Sequence, residues 1–503
     1  MDPRNESPPL KHSDSTQEYN SREASEKNVG VTGPADVIDH AAERRLVRKL
    51  DLYIMPLFFF LYMLCFLDRT NVGNAKVAGL EKDLGLRGYM YNIGLSIFYI
   101  FYALIEIPSN LVLRKLGARI WIPTIIVSFG LVTTLTSLID NFGEFMAVRI
   151  ALGISEGGLM PAYLVVLARF YNKKELVLRT AIFASSATIA GMFGGALAYG
   201  FLQVTVPHFR SWKNIFLYEG IITMAGGLFA FFFVPNDPGS AKFLTPEERA
   251  LADARIRREH AGAKVLIEAT KTKLLLKAFK NLNTFACALG FGLSSLSLQG
   301  LALFIPTIIR AIDPTFTVLE TQVKTIPVYA VAFVIAISFS WASAHYDRRA
   351  YCIILVNFFA VIGFAIFLGT PLSATKTRYG AVFLTTMGIY TPGPIWLSFG
   401  MANAGLDQMR AVAAGLLVGL GTMGSIVASW SFLPKDAPRY MIGNGLNLAV
   451  VITSQLLAVL LMWYNRRENR LREQGGRDYI LEGKTQEEID ELGNEHPDFR
   501  FKW

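Results

Sequence analysis

The apolar residues of this chain fall into long blocks separated by short polar stretches, and not into the one-sided stripes of soluble helices. A run of about 18 or more apolar residues with few charges can cross ~30 Å of hydrocarbon as a helix. The pattern therefore predicts an all-α polytopic membrane protein with twelve spans. The predicted spans, numbered one to twelve, are 50–75, 88–108, 119–139, 144–169, 180–203, 214–234, 283–309, 324–344, 350–369, 379–399, 409–431 and 441–464.

The longest polar segment between spans, residues 236–282, divides them six and six. It predicts one half over 46–235 and a second over 283–465, joined by a cytoplasmic linker. The start of the chain is rich in Ser, Glu, Asp, Asn and Pro without an apolar core, which predicts a disordered cytoplasmic tail over 1–45. A second cytoplasmic tail is expected over 466–503.

The linker contains a helix-start signal at Thr245-Pro246-Glu247-Glu248. Thr is a capping residue, Pro suits the first helical position, and a Glu follows three residues after the cap. We expect an amphipathic helix from here to about Glu259, lying as a solvated connector at the membrane surface.

Composition agrees with a bilayer environment. The chain is 52% hydrophobic and 18% charged, with a mean hydropathy of +0.36, whereas soluble domains carry about 25% charged residues. The net charge of +9 comes mostly from short loops, so it indicates topology and not a nucleic-acid surface. Basic residues concentrate on one side of the predicted spans, which favours both termini in the cytoplasm, with the plasma membrane as the expected location. The basic residues of that side are Arg44, Arg45, Arg48, Lys49, Arg114, Lys115, Arg119, Arg169, Lys173, Lys174, Arg179, Arg348, Arg349, Arg466, Arg467, Arg470 and Arg472.

Two basic turns, between spans two and three and between spans eight and nine, occupy the same place in each half. Each resembles the signature of the major facilitator superfamily, in which a Gly precedes an Asp-Arg pair and then a Gly and two basic residues. The resemblance implies the major facilitator fold, with twelve transmembrane helices in two six-helix halves. Arg114 and Ala344 stand where the Asp is usual, so the gate built on it is expected to be altered. The gating residues implied are Arg114, Lys115, Gly117, Arg119, Arg348 and Arg349.

Ionisable residues at bilayer depth cost at least ~2.5–3.5 kcal/mol, so they normally mark a cavity or a partner. Arg149, Gly153 and Glu156 of span four are spaced i, i+4, i+7 and share one helical face. A guanidinium can grip a carboxylate through two parallel hydrogen bonds, and a Glu shielded from water can carry a proton. Together they supply what proton–anion symport requires; the alternative is a structural ion pair that locks this helix to a neighbour.

Span one carries a polar run, Asp68-Arg69-Thr70-Asn71. Asp68 and Arg69 are adjacent and point in different directions on a helix, so each needs its own partner or an aqueous cavity. The alternative is that the helix ends at Asp68 and leaves Arg69 in a loop. Glu106 in span two is either a functional residue or only a snorkelling or capping charge. The aromatic Tyr99 precedes it and is a candidate residue of the same site.

Longer stretches carry a more specific resemblance, which covers essentially everything after residue 40. They are residues 67–80 (LDRTNVGNAKVAGL), 106–110 (EIPSN), 149–158 (RIALGISEGG), 212–216 with Glu219-Gly220, 304–307 (FIPT), and His496-Pro497 with Phe499-Arg500. These resemble the fungal allantoate permease group of the anion:cation symporter family within that superfamily.

That resemblance implies a proton-coupled importer of a small organic anion such as a carboxylate vitamin or nitrogen source, working by alternating access. Animal relatives of the family use an Arg in the first helix and an Arg–Glu pair in the fourth, which correspond to Arg69, Arg149 and Glu156. Span seven departs from the group, with Gln299-Gly300-Leu301 where Tyr-Gly-Leu is frequent, so no named solute is carried over. The expected solute-binding residues are Arg69, Asn71, Tyr99, Arg149 and Gln299, and the expected proton-coupling residues are Asp68 and Glu156.

Two other functions stay open, an exporter of a secondary metabolite and a nutrient sensor on a transporter scaffold. Proton-driven drug exporters usually carry a Pro beside Gly-Gly in the fifth helix, and residues 190–197 (AGMFGGAL) lack it. An enzyme is not expected, because there is no phosphate-cradling Gly-Lys-Ser/Thr run. Cys65, Cys287 and Cys352 have no metal or disulfide spacing, so no cofactor is expected, and we expect a monomer in membrane lipid.

Overall fold

The computed structural model describes residues 40–205, 209–260, 281–405, 407–485, 489 and 492–503. Internal contacts divide the chain into residues 1–46 and 47–503. Of the first unit the structure describes a helical segment that begins at His40; the predicted tail before it lies outside the described residues. The features discussed below belong to the second unit.

The regular secondary structure of the described residues is helical, without a strand, and every predicted span coincides with one or two helices. Ten helical stretches, one of them Phe142–Phe170, are long and apolar enough to cross a membrane within this part of the chain. The helices are α1 His40–Val77, α2 Leu80–Asp83, α3 Met90–Leu116, α4 Ala118–Thr136, α5 Phe142–Glu156, α6 Leu159–Phe170, α7 Lys173–Leu202, α8 Ser211–Phe233, α9 Pro246–His260, α10 Leu282–Ile312, α11 Val318–Tyr346, α12 Arg349–Gly369, α13 Thr375–Tyr390, α14 Pro392–Ala402, α15 Asp407–Ala428 and α16 Met441–Glu473.

Spans four and ten are broken helices, which the sequence analysis treated as continuous. Span four consists of α5 and α6, separated at Gly157-Gly158, where Gly158 has a φ of +88° that suits a residue without a Cβ. Span ten consists of α13 and α14, interrupted before Pro392. Interrupted helices in corresponding positions of two halves are typical of solute sites in transporters.

The connector helix is confirmed as α9. Its start has the expected reciprocal cap: the Glu248 backbone N–H donates to the Thr245 hydroxyl at 3.2 Å, and the Thr245 N–H donates to the Glu248 carboxylate at 2.9 Å. Lys49 of α1 also donates to Glu248, at 2.6 Å. These contacts hold the pKa of Glu248 below its usual range, the Lys49 hydrogen bond first. The rest of the predicted linker, residues 261–280, lies outside the described residues.

The two ends of the helical bundle differ. The basic end carries the turns 114–119 and 346–349, and the opposite end carries the loops 78–89 and 429–440. At the opposite end the first and last six spans are hydrogen-bonded together: Asn92 Nδ2 donates to the Ser429 carbonyl at 2.6 Å, and Trp430 Nε1 donates to Ser96 Oγ at 2.8 Å. The bundle is therefore closed at the opposite end.

The C-terminal segment folds back onto the basic end. The backbone of Lys502 is held by two amides, since its carbonyl accepts from Asn403 at 3.1 Å and from Asn465 at 3.0 Å, and its N–H donates to Asn403 at 2.8 Å. Its ammonium lies 2.5 Å from the Asp347 carboxylate. Residues 499–503, called the strap below, thus join the ends of α14 and α16 to the turn between α11 and α12.

Candidate functional site

The polar run of span one lies inside α1, which continues without interruption to Val77. The alternative in which the helix ends at Asp68 is therefore wrong. Asp68 is buried and accepts a hydrogen bond from Thr133 Oγ1 of α4 at 2.6 Å. Arg69 points elsewhere, so the two adjacent charges have separate partners.

Arg69 forms a buried ion pair with Glu156, the last residue of α5. Its Nε lies 2.7 Å and its Nη2 2.5 Å from Glu156 Oε1, and Cys65 Sγ donates to the same oxygen at 2.8 Å. Glu156 Oε2 is buried without a hydrogen-bond partner among the described residues. The guanidinium also lies 5.0 Å from the ring centre of Tyr102. Span four is thus ion-paired to span one through Glu156, and the pairing residue is Arg69 and not Arg149.

Arg149 of α5 faces the same way as Glu156 because the two are seven residues apart on one helix. Gly153 between them lets α5 approach α3 closely. A Cβ at Gly153 would lie 2.5 Å from the carbonyl oxygen of Phe98. Arg149 is 4% exposed, yet its Nε and Nη2 have no hydrogen-bond partner in the described part of the chain. The guanidinium lies 5.2 Å from the ring centre of Phe145. A buried guanidinium with unused donors is costly unless something else binds it.

The side chain of Arg149 borders a small central cavity. The volume of this cavity is about 10 Å³, room for roughly one water molecule. Six other residues line it, and they bring α1, α3 and α10 together; they are Asp68, Arg69, Leu95, Phe98, Tyr99 and Leu303. One wall is charged and the others are apolar or aromatic. In this conformation an organic solute does not fit, so the cavity must widen to admit one.

The predicted solute residues Asn71 and Gln299 do not line this cavity. Asn71 is fully buried and donates its amide to Glu219 of α8 through a short hydrogen bond. Gln299 is buried in α10, one turn before Leu303, with an unpartnered Oε1. The sequence analysis noted Glu219 only as part of a family motif. The signal that could have singled it out was present, since it is an acidic residue within an apolar block.

The predicted gating residues lie at the basic end. Arg114, Lys115 and Arg119 have exposed side chains, while the backbone N–H of Arg119 donates to Asn236 at 2.8 Å. Gly117 has a φ of +78° and packs against Asn236, where a Cβ would come within 2.8 Å of its side chain.

The second basic turn is tied to the strap. Arg349 donates to Asp347 at 2.5 Å and to Ser398 at 3.2 Å, and Arg348 lies 3.9 Å from the ring centre of Trp503. The acidic residue of this turn is Asp347. It lies three residues after Ala344, which occupies the position where the superfamily signature usually has an Asp. Burial alone would raise the pKa of Asp347, but its hydrogen bond from Lys502 and the charge of Arg349 outweigh burial and lower it.

Comparison with known sequences gives one consistent result. The family model described as Major Facilitator Superfamily matches residues 58–429. The MFS-type transporter cnsO of Penicillium expansum is 34% identical over 482 residues, 93% of this chain and 92% of that protein. The MFS-type transporter efuF of Hormonema carpetanum is 32% identical, over 89% of this chain and 91% of that protein. The high-affinity nicotinic acid transporter of Saccharomyces cerevisiae is 30% identical, over 88% and 80%.

Solved structures share the fold. A bacterial homolog of the human lysosomal transporter Spinster, in an inward-facing and unoccupied conformation, matches with a TM-score of 0.60 at 16% identity, covering 81% of this chain and 95% of that one. The inward-open xylose transporter XylE of E. coli matches with a TM-score of 0.60 at 12% identity, over 80% and 94%. The fold implied by the two basic turns is therefore confirmed.

Proposed function

The chain belongs to the Major Facilitator Superfamily as an integral, multi-pass membrane protein, and we propose that it carries a small organic monoanion together with protons by alternating access. We propose import across the plasma membrane, with the basic end and both termini in the cytoplasm and segment 236–282 joining two halves. The same proposal places it, as a monomer, in the anion:cation symporter family and the allantoate permease-like group.

The observation that carries the proposal is the unused edge of Arg149. Nε and Nη2 are the two donors that bind a carboxylate side-on through parallel hydrogen bonds. Both are buried, both lack a partner among the described residues, and the side chain borders the central cavity. A carboxylate solute would satisfy both donors at once.

Charge balance supports a monoanion as the solute. The Arg69–Glu156 pair is neutral as a unit, and Arg149 and Asp68 at the cavity have opposite charges. One monoanion bound together with the proton on Glu156 leaves the charge at the cavity unchanged, whereas a dianion would need a second compensating charge there. The apolar walls at Leu95 and Leu303 suit an apolar or aromatic body behind the carboxylate.

Glu156 supports coupling to protons. Protonation of Glu156 would remove its negative charge and release the guanidinium of Arg69, which could then join Arg149 in holding the anion. Loss of the anion would return Arg69 to Glu156 and expel the proton. Since each binding event favours the other by reciprocal linkage, the proton and the anion would travel together.

The relative named as a nicotinic acid transporter supports a carboxylate as cargo. Uptake of labelled nicotinate and of a panel of mono- and dicarboxylates by expressing cells tests the proposal. We expect monocarboxylate uptake that rises in acidic medium and stops with a protonophore. Faster loss of the labelled solute from preloaded expressing cells would instead indicate an exporter. An altered growth response without any flux of solute would indicate a sensor.

A further inference from the structure

A second buried carboxylate lies outside the central cavity. Glu219 of α8 is 3% exposed and receives one hydrogen bond, from the amide of Asn71 in α1. Its other oxygen, Oε1, and the amide oxygen of Asn71 both lack a partner among the described residues. No salt bridge to Glu219 is found in the described part of the chain, in contrast to Glu156.

The charged groups on the surrounding elements are engaged elsewhere. On α1, Asp68 accepts from Thr133 and Arg69 pairs with Glu156. On α8 itself, Lys213 pairs with Asp140 at 2.6 Å. The charged side chains described on α4 and α7 lie towards the basic end; they are Arg119, Glu175 and Arg179. Within the described part of the chain, no cation is therefore placed to neutralise an ionised Glu219.

A neutral acid fits these surroundings better than a carboxylate. A buried charge is strongly disfavoured without an opposite charge or several donors, and Asn71 supplies one neutral donor. The oxygen and nitrogen of an amide differ only by a flip, so Asn71 can equally accept a hydrogen bond from a protonated Glu219. In the flipped orientation the hydrogen bond forms only when Glu219 holds its proton, and in the other orientation a single neutral donor faces the carboxyl group.

Position also links Glu219 to solvent and to the site. Lys213, six residues earlier on α8, pairs with the largely exposed Asp140 at the opposite end, which puts Glu219 about 9 Å along the helix from that surface. Asn71 follows Asp68 by three residues on α1, so the two share a face. Glu219 thus lies between the surface of the opposite end and the carboxylate that borders the cavity.

We propose that Glu219 is a second proton-binding residue of the transport cycle, protonated in this conformation, so that each cycle moves a proton on Glu219 in addition to one on Glu156. This inference rests on the proposed proton coupling. The competing explanation is a structural polar contact that fastens α1 to α8.

Two substitutions separate the explanations. Glu219→Gln keeps the size and the hydrogen bond to Asn71 but cannot titrate, whereas Glu219→Asp shortens the side chain but can. A structural contact predicts that Gln behaves like the wild type and Asp is impaired. A proton-binding role predicts that Asp retains proton coupling and Gln loses about half of the protons moved per solute.

The first measurement needs no solute. Infrared spectra of the purified protein in lipid at neutral pH should contain the carbonyl stretch of a protonated carboxyl group, and Glu219→Gln should remove that component. The exposed Glu482→Gln serves as the control and should leave it intact. A spectrum unchanged by Glu219→Gln would overturn the inference, whether or not the protein transports nicotinate.

The second measurement is the number of protons taken up per labelled nicotinate, or per solute identified by the uptake panel. We expect a fall of about twofold in Glu219→Gln and a wild-type ratio in Glu219→Asp. A ratio unchanged in the Gln variant would overturn the inference. A wild-type protein that moves its solute without protons would instead overturn the proposed function, while the infrared result would still decide whether Glu219 is protonated.

Discussion

Arg69 and Arg149 lie near each other on neighbouring helices, yet the structure gives them different partners. Arg69 donates to Glu156, whereas Arg149, whose side chain borders the cavity, has two donors without a partner among the described residues. The difference follows from the position of Glu156 at the end of α5, where the helix breaks and the carboxylate meets α1. In the proposed mechanism Arg69 takes part in a proton-dependent exchange, and Arg149 binds the anion directly.

Arg149→Lys tests the capture role. Lysine keeps the positive charge but cannot donate two parallel hydrogen bonds to a carboxylate. Each hydrogen bond to a charged group contributes about 1.5–3 kcal/mol. We expect uptake efficiency to fall roughly 10- to 100-fold at unchanged surface expression. The exposed Arg439→Lys is the matched control. Normal uptake by the Arg149 variant would remove this residue from the site.

Glu156→Gln tests the coupling role. Gln resembles the protonated acid at every pH, so the release of Arg69 no longer depends on a proton. We expect uptake to lose its rise in acidic medium and the cells to equilibrate the solute without accumulating it. The measurement is initial uptake against external pH, and an unaltered profile would clear Glu156 of the role.

The charged positions could be predicted from the sequence because an Asp, Arg or Glu stands out in an apolar block. Their partners could not, since Arg69 and Glu156 are 87 residues apart and helix rotation decides which arginine meets the acid. Helix packing also decides that Asn71 contacts Glu219 and does not line the cavity. The sequence therefore predicted that Asp68, Arg69, Arg149 and Glu156 lie within the spans, and not which partners they contact.

At the scale of elements, the spans follow directly from the lengths of the apolar blocks, while the breaks within them do not. The Gly-Gly pair after Glu156 is compatible with a continuous helix in sequence, and it becomes a break only against α3, where a Cβ at Gly157 would meet Ile105. The strap is a second element that the composition does not predict. The polar composition of residues 466–498 suits a solvated tail, but the amides of Asn403, just after α14, and Asn465 of α16 hold the backbone of the strap.

The strap should stabilise the basic end. Lys502→Ala with Trp503→Ala removes the contact to Asp347 and the ring between Arg348 and Arg466. We expect a lower Tm in detergent and faster tryptic cleavage in this region, with Lys484→Ala as the exposed control. Equal cleavage of the variant and the wild type would show that the strap adds no stability.

The strap should also respond to acid in a defined direction. Since the pKa of Asp347 is lowered in the folded protein, its contribution is complete above the ordinary Asp pKa of about 3.9 and is lost as the pH falls through the lowered value. Strap contacts should therefore persist throughout the mildly acidic range in which uptake is measured.

At the scale of the whole molecule, the hydrogen bonds at the opposite end define the conformation. Hydrogen bonds between Asn92 and Ser429 and between Trp430 and Ser96 close that end, and the central cavity has room for about one water molecule. Alternating access requires these contacts to part in each cycle.

Cross-linking tests that requirement. Cysteines placed at Asn92 and Ser429 and joined by a disulfide or a short bismaleimide should abolish uptake, and a reductant should restore it in the disulfide form. The native thiols Cys65, Cys287 and Cys352 are buried, so they give little background. Full uptake by the cross-linked protein would exclude movement at this end.

The most direct test of proton-driven anion uptake uses the purified protein in liposomes with an inward proton gradient and labelled nicotinate or the best monocarboxylate of the panel. The account predicts that the wild type concentrates the anion until a protonophore collapses the gradient, that Glu156→Gln only equilibrates it, and that Arg149→Lys does little of either. Uptake that is indifferent to the proton gradient, or that is unchanged in both variants, would contradict it.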